Sequence, residues 1–162
     1  MRTRLATFVL TFVLSLVAAG VASADGDTSA AAPQDVVFDL HPAQFCCPQL
    51  GTWDATGAVS DSGTYVRTGF HATGSLPEGF EFTHAGAFQE VFELSGSAGT
   101  ITVMDETVVM VNRDGSTTLH VRWQIVSGTG AYAQMSGHGD AQFLPVPPMG
   151  LFRLTGVVSK VD

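Results

Sequence analysis

Two acidic residues are the first candidates for chemistry, because each one interrupts an apolar face in a segment where apolar and polar residues alternate. These residues are Glu90 and Glu106. Their apolar neighbours on the same faces are Phe88, Phe92 and Leu94 around the first, and Met104, Val108 and Met110 around the second. If these faces line a buried interior, burial raises the pKa of each carboxyl and suits it to general acid or base work. If the faces instead form a rim or an outer, subunit-facing wall, each acid is an ordinary partner of an arginine.

Two basic residues are the predicted partners of such an acid. Arg67 and His71 lie on one face of their predicted strand, together with Tyr65. Histidine is the usual proton shuttle near neutral pH. The five histidines, at positions 41, 71, 84, 120 and 138, show no metal-ligand spacing, and a single strand histidine is commonly half-exposed. The sequence therefore leaves the catalytic residues unknown, with Glu106, Glu90, His71 and Arg67 as candidates, and it predicts neither a metal nor a cofactor.

The two cysteines of the chain, Cys46 and Cys47, are adjacent. Consecutive Cα atoms lie about 3.8 Å apart, below the usual disulfide range of about 4.4 to 6.8 Å, so a bridge between neighbours is strained. Three interpretations stay open: a strained and easily reduced vicinal disulfide, an intermolecular bridge, or two thiols. The pair is therefore a redox candidate.

A hairpin around Asp114 and Gly115 orients the longest predicted strands, 100–112 and 117–126. A two-residue turn there pairs Met110 with Leu119, and counting outward pairs Glu106 with Trp123. This register places Asp105 and the other residues of its face toward solvent. Several residues are then candidates to line an apolar ligand cavity, although they could equally form an ordinary core: Met104, Val108, Met110, Leu119, Val121, Trp123, Ile125, Phe88, Phe92 and Tyr132.

Period-two alternation continues through most of the chain, with short breaks rich in glycine, proline, serine and aspartate. Phe80, Phe82 and His84, for example, share a face of one short predicted strand. About eight such strands and no long helix predict an all-β fold, an antiparallel sandwich or barrel. This β domain is predicted over 36–162, after a flexible leader over 25–35.

The first 24 residues have the features of a secretory signal peptide. Arg2 and Arg4 precede an apolar run, Leu5 to Val21, which ends in the small-residue motif Ala22-Ser23-Ala24. We expect a secreted, extracellular protein without a membrane span after cleavage. Removal of residues 1–24 takes away two of seven basic residues and none of fifteen acidic ones, which leaves a net charge of 5 − 15 = −10. So acidic a chain is not expected to bind nucleic acid or an anionic membrane surface.

A glycine-rich segment supplies a family resemblance. The segment Trp123-x-Ile-x-Ser-Gly-Thr-Gly-Ala-Tyr-Ala-x-Met-x-Gly-x-Gly139, preceded by Gly51-Thr-Trp-x-Ala-Thr-Gly57, resembles secreted bacterial members of the allene oxide cyclase-like and dirigent-like barrel superfamily. The resemblance implies a single antiparallel, up-and-down, calycin-like β-barrel of about eight strands. Such barrels have a mostly apolar central cavity and are often trimeric, but the resemblance transfers no catalytic residue.

Three functions follow as hypotheses. The first is interior binding of a small hydrophobic ligand without catalysis, and the second is a cyclase or isomerase acting on a reactive apolar substrate. The third is a structural or partner-binding oligomeric barrel, which an exposed apolar patch containing Val109 and Val111 would favour.

Overall fold

Eight antiparallel strands close into one barrel. The computed structural model describes residues 32–46, 48–73, 86–111, 114 and 116–160. The strands are β1 (Gln34–Gln44), β2 (Leu50–Gly57), β3 (Ser62–Thr73), β4 (Gly86–Gly96), β5 (Thr100–Val111), β6 (Thr117–Gly128), β7 (Met135–Leu144) and β8 (Leu151–Lys160). Each strand pairs with the next in sequence, and β8 pairs with β1. The predicted fold class, an up-and-down antiparallel β-barrel, is confirmed.

Some of the predicted segments lie outside the described part of the chain. The predicted signal peptide, Cys47 and the short strand through Phe80, Phe82 and His84 lie outside it. The first strand begins at Gln34, so the last two residues of the predicted leader, 34–35, belong to the barrel. Within the described part of the chain, no helix is long and apolar enough to cross a membrane.

Up-and-down connectivity gives the barrel two different ends. The connections from β1 to β2, β5 to β6 and β7 to β8 lie at one end, which we call the cysteine end because it contains Cys46. The connections from β2 to β3, β4 to β5 and β6 to β7 lie at the other end. We call it the tyrosine end, because the 3₁₀ helix Gly130–Tyr132 lies there.

Aromatic side chains fill the middle of the barrel. The ring of Phe38 lies 6.2 Å from that of Trp53 and 5.7 Å from that of Trp123, measured between centroids. Both indole N–H groups donate to backbone carbonyls, that of Trp53 to Ser95 at 3.2 Å. These bonds satisfy the polar atoms of two fully buried rings, so the core has a fixed arrangement.

The tyrosine end is held by one carboxylate. Asp61 Oδ1 accepts hydrogen bonds from the backbone N–H of Ser62 at 2.9 Å and from the hydroxyl of Ser97 at 2.7 Å. Asp61 Oδ2 accepts one from the hydroxyl of Tyr132 at 2.7 Å and one from the backbone N–H of Ala98 at 3.2 Å. The hydroxyls of Ser97 and Tyr132 hold the pKa of Asp61 well below its usual range. Asp61 thus joins all three connections at this end.

We expect Asp61→Asn to lower the thermal unfolding midpoint by several degrees, because the amide nitrogen cannot accept the bonds from Tyr132 and Ala98. A group with a lowered folded pKa stabilises the fold above its unfolded pKa, and that contribution is lost only as the pH falls through the folded value. The loss of thermal stability should therefore appear at pH 4.5 as well as at pH 7. Tyr132→Phe is the graded comparison, since it removes one donor and leaves the carboxylate. Equal unfolding midpoints for Asp61→Asn and the wild type would contradict this role.

The pairing of β5 with β6 differs from the predicted register by one residue. Met110 pairs with Thr118 instead of Leu119, and Glu106 pairs with Arg122 instead of Trp123. The connection between the two strands is five residues long, not two. In it, Asp114 Oδ1 accepts from the backbone N–H and hydroxyl of Ser116, at 2.9 and 2.6 Å. A one-residue shift reverses the two faces of a strand relative to its partner, so β5 turns its other face inward.

Candidate functional site

A buried ion pair lies on the inner wall of the barrel. Arg67 on β3 donates from Nη1 to Oε1 of Glu90 on β4. The two side chains are 19% and 12% exposed. The guanidinium carbon of Arg67 also lies 5.2 Å from the ring centroid of Phe70, a cation–π distance. Burial raises the pKa of Glu90, and the hydrogen bond from Arg67 opposes that shift.

A second acid faces this pair from the next strand. Asp105 on β5 is the direct register partner of Glu90 on β4. Its Oδ1 is buried and is the single such side-chain atom, among the described residues, without a hydrogen-bond partner. Burial, with a contribution from the neighbouring charge of Glu90, raises the pKa of Asp105 to about 8. Asp105 therefore carries a proton at neutral pH.

Other polar groups complete the inner wall near these charges. Gln49 Nε2 donates to the hydroxyl of Tyr65 at 3.4 Å, and both residues are buried. Burial raises the pKa of Tyr65 as well, so its phenol stays neutral. Thr107, two residues along β5 from Asp105, is also buried. Arg67, Glu90, Asp105, Tyr65 and Gln49 form what we call the inner polar cluster.

The inner polar cluster combines an ionised pair with a neutral acid. One guanidinium neutralises one carboxylate, and two carboxylates that share a site cannot both ionise easily. The result is two acids in different states at neutral pH, with Glu90 held by Arg67 and Asp105 protonated. Such a pair can donate a hydrogen bond or a proton to a bound molecule.

The structure brings together two of the four predicted catalytic candidates. Glu90 and Arg67 form the ion pair, whereas Glu106 and His71 are both exposed. The prediction that His71 shares a face with Arg67 is wrong, because the pairing of β3 with β4 shifts between Arg67 and Gly69. This β-bulge inserts one unpaired residue, Thr68, which reverses the alternation beyond it. Phe70 instead continues the inner face.

The predicted cavity residues divide between the two faces. Four of them are buried inside the barrel: Phe88, Phe92, Trp123 and Tyr132. Ile125 is partly buried against the core, and Val121 is half-buried on the inner side of β6. The prediction for Met104, Val108 and Met110 is wrong, because the register shift turns them to the outer face of β5 with Glu106. Leu119 belongs to the inner face at the cysteine end.

Val109 is not part of an exposed apolar patch on the outer wall. Val109 is buried, and the side chain of Val111 lies outside the description. The exposed apolar residues of β5 are its outward neighbours Val108 and Met110. A groove of about 420 Å³ lies on the outer wall of β5, β6 and β7. It is lined by Met104 and Trp123 and by five polar or charged side chains from the three strands: Glu106, Arg122, Gln124, His138 and Asp140.

The predicted register placed Asp105 on the solvent side, so Asp105 was not among the predicted site residues, although burial raises its pKa to about 8. One signal in the sequence favours the observed orientation. Apart from Asp105, the inward residues of β5 are all β-branched: Ile101, Val103, Thr107 and Val109. Such residues suit a buried strand face better than the unbranched Met104 and Met110 do.

Apolar inward residues are exposed at the cysteine end. Phe70 is 48%, Leu119 38% and Phe143 43% exposed, although their register partners Glu90, Val109 and Phe152 are buried or partly buried. Paired residues of an antiparallel sheet lie on the same face. The inner wall at this end is therefore apolar and open to solvent.

The described cysteine lies beside this opening. Cys46 is disulfide-bonded, so it is not a free thiol. Its neighbour Phe45 packs its ring 6.4 Å from both Phe143 and Phe152, between centroids. In the ranges that the structure describes, no three His, Cys, Asp or Glu side chains come close enough to hold a metal ion.

No protein-family model, curated protein or solved structure matches the chain.

Proposed function

We propose that the protein is a secreted barrel that binds a small, mostly apolar molecule in its interior at the cysteine end. The single observation that carries the proposal is the exposure of inward-facing apolar side chains there. Phe70, Leu119 and Phe143 belong to the face that elsewhere forms the core, yet each is more than a third exposed. Ligand sites are typically concave and apolar with a few polar groups that orient the ligand. The inner polar cluster supplies such groups, since Arg67 stacks on Phe70 itself.

The sequence supports the location of this function. The positively charged start, the apolar run and the Ala22-Ser23-Ala24 motif favour secretion, and a disulfide at Cys46 is compatible with an oxidising compartment. A strongly negative chain remains dispersed in solution while it presents an apolar opening. The resemblance to allene oxide cyclase-like and dirigent-like barrels favours an interior site, because it implies a mostly apolar cavity.

The neutral fluorescent amine 1-aminoanthracene tests this function. We expect its emission to rise and shift to the blue on binding to the wild type, and Phe70→Ala to weaken binding at least about fivefold through loss of apolar contact. Val126→Ala is the matched control, because Val126 is 49% exposed and lies near the tyrosine end, on the β6 strand. No fluorescence change with the wild type, or equal weakening by both variants, would contradict the proposed site.

A cyclase or isomerase of the allene oxide cyclase-like type is the second candidate. The observation that favours it is the neutral acid Asp105 beside the Arg67–Glu90 pair, because a reactive apolar substrate confined there would meet a proton donor. Purified protein incubated with reactive apolar epoxides provides the test. Acceleration that Asp105→Asn removes, while Glu106→Gln leaves it unchanged, is the expected result. An epoxide consumed at the uncatalysed rate would count against this candidate.

A further inference from the structure

The inner polar cluster contains one more acid than it has cations. Arg67 is directed to Glu90, and Asp105 lies opposite Glu90 on the next strand. The charged or titratable side chains that act on Asp105 are Glu90 and Arg67. Tyr65, which lies on the same wall of the barrel as Arg67, is neutral. Asp105 thus has no cation of its own among the described residues.

The neutral form of Asp105 has an unused hydrogen-bonding capacity. A protonated carboxyl has one O–H donor as well as acceptor oxygens. Its Oδ1 is buried without a partner among the described side chains and backbone groups. A buried polar group without a partner costs free energy that a bound molecule with a matching group can recover.

The surroundings of Asp105 restrict the matching group. A ligand carboxylate would lie against Glu90, which is already a buried acid, and the nearby cation Arg67 is occupied by that acid. A ligand ammonium would require Asp105 to ionise beside Glu90, at the cost of burying another charge. An uncharged acceptor oxygen requires neither change.

We propose that Asp105, through its carboxylic O–H, binds the carbonyl oxygen of an uncharged, otherwise apolar ligand that occupies the interior at the cysteine end. The proposal rests on the proposed binding function and adds the chemical class of the ligand. The apolar part of the ligand contacts the exposed inward side chains, and its carbonyl group lies toward β5. Selectivity then follows from the carbonyl, since the apolar wall accepts many shapes.

Two probes of nearly the same shape test this preference. 2-Acetylnaphthalene and 2-ethylnaphthalene differ by a carbonyl oxygen, and each can be titrated as a competitor that displaces 1-aminoanthracene from the wild-type protein at pH 6.5. We expect the ketone to bind about fivefold more tightly than the hydrocarbon, which corresponds to one net hydrogen bond. 2-(Aminomethyl)naphthalene, a cation at this pH, serves as the third competitor and should bind most weakly.

Variants and pH assign the preference to Asp105. Asp105→Leu should bind the ketone and the hydrocarbon equally, because the donor is gone and the apolar space remains. Asp105→Asn keeps an N–H donor, so it should prefer the ketone at pH 6.5 and at pH 9.5 alike. In the wild type the preference should disappear at pH 9.5, where Asp105 has lost its proton. Glu106→Leu, one residue away on the outer face, should behave as the wild type does, with a preference for the ketone at pH 6.5 and none at pH 9.5.

The outcomes separate this inference from the proposed function. If none of the aromatic compounds binds, both are overturned. If ketone and hydrocarbon bind equally to the wild type, or if the preference survives in Asp105→Leu, binding stands and the role of Asp105 is overturned. Tighter binding of the ammonium compound than of the ketone would likewise overturn it, since Asp105 would then act as an anion.

Discussion

Replacing Asp105 by Asn is expected to raise the free energy of unfolding at pH 8 by about 3 to 4 kcal/mol. Burial raises the pKa of Asp105 from 3.8 to about 8 in the folded protein. Each pKa unit corresponds to about 1.36 kcal/mol, so the carboxyl destabilises the fold by about 5 kcal/mol once the pH reaches 8. The Asn amide is neutral at every pH, and imperfect pairing of its N–H groups offsets about 1 to 2 kcal/mol of the gain.

The pH dependence of the free energy of unfolding shows whether ionisation of Asp105 causes this difference. An acid with a raised folded pKa leaves the fold at full stability below its unfolded pKa, and that stability is lost as the pH rises through the folded pKa. The wild type should therefore lose stability from about pH 4 to pH 8, and Asp105→Asn should flatten this decline. The free energy of unfolding is measured at pH 4 and at pH 8 by urea unfolding, which is followed by tryptophan fluorescence. Glu106→Gln, on the exposed face of the same strand, is the control, and an identical decline in Asp105→Asn would refute the assignment.

Replacing Arg67 by Met is expected to lower the free energy of unfolding by about 3 kcal/mol at pH 8. The change removes one partner of a buried ion pair and leaves Glu90 without its cation. Loss of the guanidinium raises the pKa of Glu90 further, so Glu90 accepts a proton more readily at low pH. Protonation removes the uncompensated charge of Glu90, so the decrease in the free energy of unfolding should be smaller at pH 5 than at pH 8.

Two further variants distinguish a broken pair from lost packing. Arg67→Met combined with Glu90→Leu should recover most of the stability, because no uncompensated charge remains. Arg153→Met breaks the more exposed pair with Asp39, whose nitrogen and oxygen atoms lie 2.8 Å apart. That variant should lose less stability, since the pair lies on the outer wall and the Arg153 side chain is 44% exposed. Failure of the double variant to recover stability would show that the packing of the Arg67 side chain dominates.

The fold was predictable because its signals are local. Alternation with period two identifies strands, and short glycine-rich or proline-rich breaks separate them. Eight antiparallel strands with short connections have few arrangements other than a sandwich or barrel. Arg67 and Glu90 were predictable as candidates for the same reason. Alternation places each of them on the same strand face as apolar residues that are buried in the structure.

The candidate site was only half predictable, because its remaining members depend on register. β5 carries apolar residues on both faces, such as Val103 on one and Val108 on the other, so alternation alone does not choose the buried face. That choice depends on a connection of five residues instead of two, and it moves Asp105 inside while Glu106 stays outside. The bulge at Thr68 makes the corresponding change on β3, where it removes His71 from the inner face.

The sequence by itself thus determined the strands and restricted them to an antiparallel sandwich or barrel, because periodicity and turn chemistry act between neighbouring residues. Only the tertiary structure decided which acids meet and how the tyrosine end is closed. Asp105 opposes Glu90, and Asp61 accepts the hydroxyl of Tyr132 across 71 positions of sequence. Such contacts depend on strand register and barrel closure, and a shift of one residue changes every side chain that faces the interior.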